Sequence, residues 1–261
     1  MTTLTIEWSD KVAHVQLSRP DSLNALSGEM IEGLVAVGRD LAGRRDCRAV
    51  VLSGAGRAFC SGIDLNALRA VSSGGGATID LRTEVENGAN IAQLAVLQWQ
   101  SLPMPVIAAV HGFALGGGLQ LALGADIRIV APDTRLGFIE VKWGIVPDMG
   151  GMALLPGLVR PDIMANLLFT GRIFGGEEAV RIGIATEAAD NPFEAAMDLA
   201  RVIASASPDA VRAAKRLMRV RGDTSSILRA ETREGTLLLG GPNQREAMAA
   251  GLGKRPGVYA D

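Results

Sequence analysis

Two carboxylates eight residues apart, Glu140 and Asp148, are the side chains of this chain best suited to moving protons. Glu140 closes the apolar run Leu136-Gly137-Phe138-Ile139, and a carboxylate at the end of an apolar strand is partly desolvated, which raises its pKa toward that of a general base. Asp148 lies in Gly144-Ile145-Val146-Pro147-Asp148-Met149-Gly150-Gly151, a turn leading into a helix. Each has a plainer alternative: Glu140 as a solvated surface acid, Asp148 as a helix N-cap.

Other chemistries fall away by inspection. Of the two histidines, His14 lies in an N-terminal hairpin and is expected at the surface or on an edge strand; His111, just before Gly112, is expected to make structural hydrogen bonds. Cys47 and Cys60 lack paired spacing for zinc or redox work and are expected as two buried free thiols. Ser61 has Phe59 and Ile63 where a nucleophile elbow needs glycines. Gly112 to Gly116 lacks the dinucleotide-binding glycine spacing, and no Gly-Lys-Ser/Thr phosphate loop occurs. Acid–base chemistry without a nucleophile remains.

The feature that would give such carboxylates a substrate is Gly116-Gly117-Gly118, entered by the strand Val106–Val110 and followed by Leu119-Gln120-Leu121-Ala122-Leu123. Strand, tight turn and helix put unpaired amides and the positive end of a helix at a cleft, where an oxygen gaining negative charge would be stabilised. The competing reading is that the glycines only permit close strand–helix packing.

The elements that must hold these residues alternate. Leu4, Ile6 and Trp8, a turn at Ser9-Asp10-Lys11, then Ala13, Val15 and Leu17 predict a hairpin. Ser27 caps a helix running to about Gly43. Strands follow at Arg48–Ser53, Val106–Val110, Asp126–Ala131 and Leu136–Phe138, with a long helix over Thr78–Ser101 stopped by Pro103 and Pro105 and a loose patch at Ser72–Gly76. From about Phe193 the pattern turns helical, near 193–205, 208–221, 224–239 and 243–253, dividing the chain into an α/β core, 1–192, and a helical region, 193–261.

Composition bounds the partners. With 26 basic and 28 acidic residues among 261, interspersed, and only 4% aromatic content, nucleic acid is not an expected partner. No signal-peptide pattern opens the chain and no apolar run reaches the roughly 18 residues of a membrane span, so no membrane partner and a cytoplasmic location are expected.

Ala58-Phe59-Cys60-Ser61-Gly62-Ile63-Asp64-Leu65, Pro105 through Gly118, and Ala125-Asp126-Ile127-Arg128-Ile129 resemble the crotonase superfamily, the enoyl-CoA hydratases and isomerases. The resemblance extends from Arg19-Pro20-Asp21-Ser22-Leu23-Asn24-Ala25-Leu26 through Ser207–Lys215 to Lys254-Arg255-Pro256. It implies an α/β crotonase (ClpP-like) spiral of strand–strand–helix units with a helical C-terminal trimerisation region. It also implies an acyl-CoA thioester substrate, a role in fatty acid metabolism, a homotrimer or homohexamer, and no cofactor beyond the coenzyme A of the substrate.

By that resemblance the amides of Ile63 and Gly117 form an oxyanion hole for the thioester carbonyl. Ser22, Leu23, Ala25, Ser61, Asp64, Leu65 and Asn66 line the CoA path, and Lys254 approaches the CoA phosphates. Hydratases of the family pair two glutamates around water; here the second is Glu140, but the first position holds Gln120, whose amide cannot exchange a proton at neutral pH. Asp148 stands where the dienoyl-CoA isomerase branch carries a second acid. Glu140 is thus expected to take a proton α or γ to the thioester and Asp148 to return one, with Gln120 orienting substrate or water. Other crotonase chemistry, such as thioester hydrolysis or decarboxylation, and a catalytically silent acyl-CoA-binding subunit are the alternatives.

Overall fold

In the computed structural model, which describes residues 3–66, 69 and 80–261, the hairpin forms as expected from β1 (Leu4–Ser9) and β2 (Val12–Leu17). Asp10 and Lys11 take φ of 49° and 66°, the paired left-handed residues of a two-residue hairpin turn. β2 then runs parallel to β3 (Ala49–Gly54), which pairs with β4 (Val106–Val110), then β6 (Ile127–Val130) and β8 (Glu187–Ala188), so the sheet order is β1-β2-β3-β4-β6-β8. Every residue of β3 and β4 is buried, as parallel strands covered on both faces require.

After most passes through this sheet the chain makes a second, shorter pass through an inner ribbon. There β5 (Phe113–Leu115) pairs in parallel with β7 (Arg135–Gly137), and single bridges extend the ribbon: Leu26 to Ile63, Cys60 to Ala114, and Leu136 to Phe174. Sheet, ribbon and helix follow one another as a spiral.

Helices fill the space between. α1 (Gly28–Ala42) starts where Ser27 accepts a hydrogen bond from Met30 N, and it turns Met30, Ile31, Leu34, Val35 and Leu41 inward. α2 (Ile91–Ser101) and α3 (Gly117–Leu123) complete a core containing Trp99, Phe59, Phe138 and Leu26. Beyond lie α4 (Gly151–Leu154), α5 (Pro161–Thr170) and α6 (Gly176–Arg181). On the sheet's other face α7 (Pro192–Ala204) lays Ala196, Met197, Ala200 and Ala204 over Val12, Ala49, Val51, Ile107 and Ile129. The first helix of the expected helical region therefore covers the sheet.

α8 (Pro208–Leu217), α9 (Thr224–Leu238) and α10 (Pro242–Leu252) follow. α8 is fastened by Lys215, whose Nζ lies 2.6 Å from Asp126 Oδ2 and donates to Trp99 O and Met104 O. The C-terminal tail docks where Asp261 meets Arg48 and Lys11, beside the N-terminal ends of β2 and β3.

Two expectations are corrected. The helix predicted from Thr78 has its described part begin at Ile91, because Asn90 and Gln93 close a capping box and Asn87 and Gly88, at φ 52° and 80°, cannot sit within a helix. Thr78 itself and Ser72–Gly76 lie outside the described residues. His14 is not at the surface: it is 7% exposed, bonded through Nε2 to Ser53 Oγ at 2.7 Å and packed on Phe193, and burial pulls its pKa below the usual histidine value.

Candidate active site

The glycine run divides its labour. Gly116 turns the chain at φ 50° and donates to Gly137 O, fixing the head of α3 against β7. Gly117 opens the helix, and its amide has no protein acceptor among the described residues. Gly118 is the packing glycine, since a Cβ there would collide with the Cys60 carbonyl oxygen.

Ile63 comes to the same place by another route. Its bridge to Leu26 uses Leu26 N to Gly62 O and Asp64 N to Leu26 O, which leaves the Ile63 amide without a protein acceptor among the described residues. Gly62, at φ 96°, makes the approach possible: a Cβ there would lie 2.6 Å from Leu115 O and 3.6 Å from Gly117 N. Two free amides from distant segments thus meet at the head of α3.

Glu140 opens a single turn of 3-10 helix, Glu140–Trp143, just beyond β7, and is only 6% exposed. Oε1 accepts from Gln120 Nε2 at 2.7 Å, while Oε2 is buried with no partner. A Cβ on Gly116 would lie 3.3 Å from Oε1, so the carboxyl group stands beside the α3 head. Burial, chiefly, raises its pKa; the Gln120 hydrogen bond works against this and the charge of Asp148 adds to it. The surface-acid alternative does not hold.

Asp148 is half-buried, and burial raises its pKa too. It caps nothing, because α4 begins after Gly150 without a side-chain cap. Gln120 is not available to substrate or water in the way expected. Its Oε1 accepts from both Met149 N, at 2.9 Å, and Gly151 N, at 3.0 Å, and its amide nitrogen is spent on Glu140.

The segments expected to line the CoA path are woven together. Ser61 N donates to Leu23 O and Ser61 Oγ to Ser22 O, while Asp64 takes Asn66 N on one oxygen and pairs with Arg19 on the other at 3.0 Å. Arg19 also donates to Ala25 O. Ile63 and Leu65 are exposed, at 38% and 44%. Lys254 is not brought to these segments: it is exposed, no hydrogen bond or ion pair among the described residues joins it to them, and the tail beyond it docks at the opposite end of the sheet.

Sequence reasoning missed Asn24. It is fully buried at φ 55°, where its Oδ1 takes Arg19 N and its Nδ2 donates to Ala55 O and Ala58 O, closing its own loop and fastening it to the loop after β3. The signal available was an asparagine, tolerant of left-handed backbone, between two apolar residues of a tight loop. His111 is structural, bonded to Gly56 O at 2.9 Å. Among the described residues no group of three His, Cys, Asp or Glu could hold a metal ion, and no helix is long and apolar enough to cross a membrane. A cavity of about 600 Å³ among α8, α9 and α10 is lined by other residues, Arg212 and Glu234 among them.

The residues gathered here suit acid–base chemistry without a nucleophile: two amides free of protein acceptors among the described residues, one desolvated carboxylate with a free oxygen, and a second carboxylate whose charge acts on the first. Known proteins resemble the chain in sequence and fold. The model of the enoyl-CoA hydratase/isomerase family matches residues 7–252. The chain is 35% identical over 206 residues to a Mycobacterium tuberculosis protein named "Probable enoyl-CoA hydratase EchA17", covering 78% of this chain and 75% of that one. It is 32% identical to the short-chain-enoyl-CoA hydratase of Clostridium acetobutylicum over 98% of this chain and 96% of that one. The crystal structure of enoyl-CoA hydratase from Bacillus anthracis superposes with a TM-score of 0.86 at 29% identity, covering 98% of each chain. The chain belongs to the enoyl-CoA hydratase/isomerase family, and its spiral is the crotonase fold.

Proposed function

We propose that the protein acts on enoyl-CoA thioesters and moves their double bond by proton transfer. The amides of Ile63 and Gly117 receive the thioester carbonyl. Glu140 takes a proton α or γ to it, the C–H electrons pass into the enolate whose oxygen the two amides stabilise, and Asp148 delivers a proton to the other carbon as the enolate collapses. Each such donor contributes about 3–4 kcal/mol in comparable sites.

The observation that carries this reading is Glu140 Oε2, buried and unpartnered on a carboxyl group that stands beside the head of α3. A buried carboxylate oxygen without a donor is costly unless something arrives to use it. Hydration, the reaction in the names of the relatives, is the second reading. Against it stands Gln120, which offers no second exchangeable acid and whose amide is already committed to the protein.

Ser22, Leu23, Ala25, Ser61, Asp64, Leu65 and Asn66 flank the CoA path in this proposal, and no cofactor is called for beyond the substrate's own coenzyme A. Residues 193–261 supply the assembly surface of a homotrimer or homohexamer, a part for which the exposed Leu237, Leu239, Met248 and Leu252 are suited. Lys254 would meet CoA phosphates only across such an assembly. The setting is cytoplasmic fatty acid metabolism.

Incubation in D₂O with 2-enoyl- and 3-enoyl-CoA tests the reading. Deuterium incorporation with a shifted double bond and no added water is expected; a product heavier by one water restores hydration. Glu140→Gln should lower turnover by about 10²- to 10⁴-fold, the usual worth of a positioned proton-transfer group, and unchanged turnover would remove Glu140 from the mechanism.

A further inference from the structure

Gln120 is the one side chain to which Glu140 is hydrogen-bonded among the described residues, and it spends its amide in two directions. Nε2 holds Glu140 Oε1, while Oε1 gathers the N–H groups of Met149 and Gly151 from the turn that carries Asp148. Only a side chain with both donor and acceptor can do this. A carboxylate could hold the turn but has no hydrogen for Glu140, and an apolar side chain could do neither. Gln120 is 1% exposed and lies three residues after Gly117 on the same helix, so both share one helical face.

We propose that Gln120 is a positioning residue, an amide clasp that fixes Glu140 relative to Gly117 and Asp148 and leaves Oε2 as the one carboxylate oxygen free to accept a proton. The terminal torsion of a glutamate is broad and two-fold, so an unclasped carboxyl group would interchange its oxygens and wander from the α3 head. This inference rests on Glu140 being the proton acceptor.

Two substitutions separate the clasp's halves. Gln120→Glu keeps the acceptor for Met149 N and Gly151 N but sets a carboxylate against Glu140 Oε1, so one proton must bridge the pair. Among the described residues, Asp148 is the charged group whose charge acts on Glu140. Gln120→Met removes both functions at similar volume. Each is followed through deuterium exchange into 3-enoyl-CoA from pH 5 to 9, with kcat and KM resolved and thermal unfolding measured in parallel.

Gln120→Glu should unfold near the parent temperature and move the acid limb of its kcat profile up by about one pH unit or more. Gln120→Met should lose about 10- to 100-fold in kcat with KM within two-fold, the effect of a misplaced group as opposed to lost binding. An unmoved pH profile in Gln120→Glu, or a kcat within two-fold of the parent in Gln120→Met, would overturn the clasp. Full exchange by Glu140→Gln would instead overturn the reading of Glu140 itself, so the two failures are told apart.

Discussion

Replacing Lys215 by methionine takes a cation away from three partners at once. Its ammonium group is 2.6 Å from Asp126 Oδ2, 2.8 Å from Met104 O and 3.1 Å from Trp99 O, and the residue is 5% exposed. Burial pulls its pKa below the usual lysine value even against the attraction of Asp126. Methionine nearly conserves the volume, so the loss is electrostatic. Asp126 would remain as a mostly buried carboxylate with Val106 N, at 2.8 Å, as its hydrogen-bond donor and the charges of Arg128 and Arg219 acting on it without a hydrogen bond, and two carbonyls would lose their donor. Removing one member of such a pair costs about 3–5 kcal/mol. With an unfolding entropy of about 2.1 cal/mol/K per residue, a chain of this size loses about 2 °C per kcal/mol, so Tm should fall by about 6–10 °C. Thermal unfolding followed by far-UV circular dichroism measures this, in a cycle with Asp126→Asn and the double variant. The asparagine still accepts from Val106 N, so it should cost less, and the double variant should be more stable than additivity predicts by about 1 kcal/mol or more. A drop in Tm under about 2 °C, or strict additivity, would refute the reasoning.

Three further outcomes follow from the site. If Glu140 is the base, it must be ionised, and because burial raises its pKa, kcat/KM should fall on the acid side with a midpoint above the ordinary carboxylate range, checked by a pH–rate profile. The same shift lets the native protein keep a proton that the unfolded chain has released, so Glu140's contribution to stability should decline as pH rises from the ordinary carboxylate value through the raised one. Gly62→Ala would force a Cβ to 2.6 Å from Leu115 O at a φ of 96°; the Ile63 amide should be displaced, with kcat falling about 10²-fold or more and stability by about 1–3 kcal/mol, and steady-state kinetics beside urea unfolding check both.

Much of the frame was legible because local rules and tertiary structure agree. The hairpin follows from alternation around the Ser9-Asp10-Lys11 turn, α1 from Ser27 and its apolar spacing, and the terminal helices from the change to a helical pattern after about Phe193. The helix expected from Thr78 was over-long because apolar spacing continues upstream of Asn90, whose cap decides the start. His14 was read outward because alternation gives two faces without saying which one another element covers; α7, some 180 residues later, covers it. At the site, residue types were readable and pairings were not. Gln120 signalled a changed acid–base inventory, yet only the fold shows its amide consumed by residues 20 to 31 positions away. Asn24 was silent for a related reason, since all its partners are backbone atoms and two of them, Ala55 O and Ala58 O, belong to another loop.

The inner ribbon behaves differently from the outer sheet as the chain folds. Strands of the sheet can join neighbour to neighbour over many paired residues, whereas the ribbon's links at Leu26–Ile63, Cys60–Ala114 and Leu136–Phe174 are single bridges between segments far apart in the chain. Each closes a long loop for little local return, so these links form late and open first. The Ile63 amide sits on the first of those links, and Gly117 follows the short strand whose Ala114 makes the second. The architecture therefore separates durability from competence: a molecule with its sheet and helices intact can have lost its site, and a brief opening of the ribbon interrupts turnover without unfolding the protein.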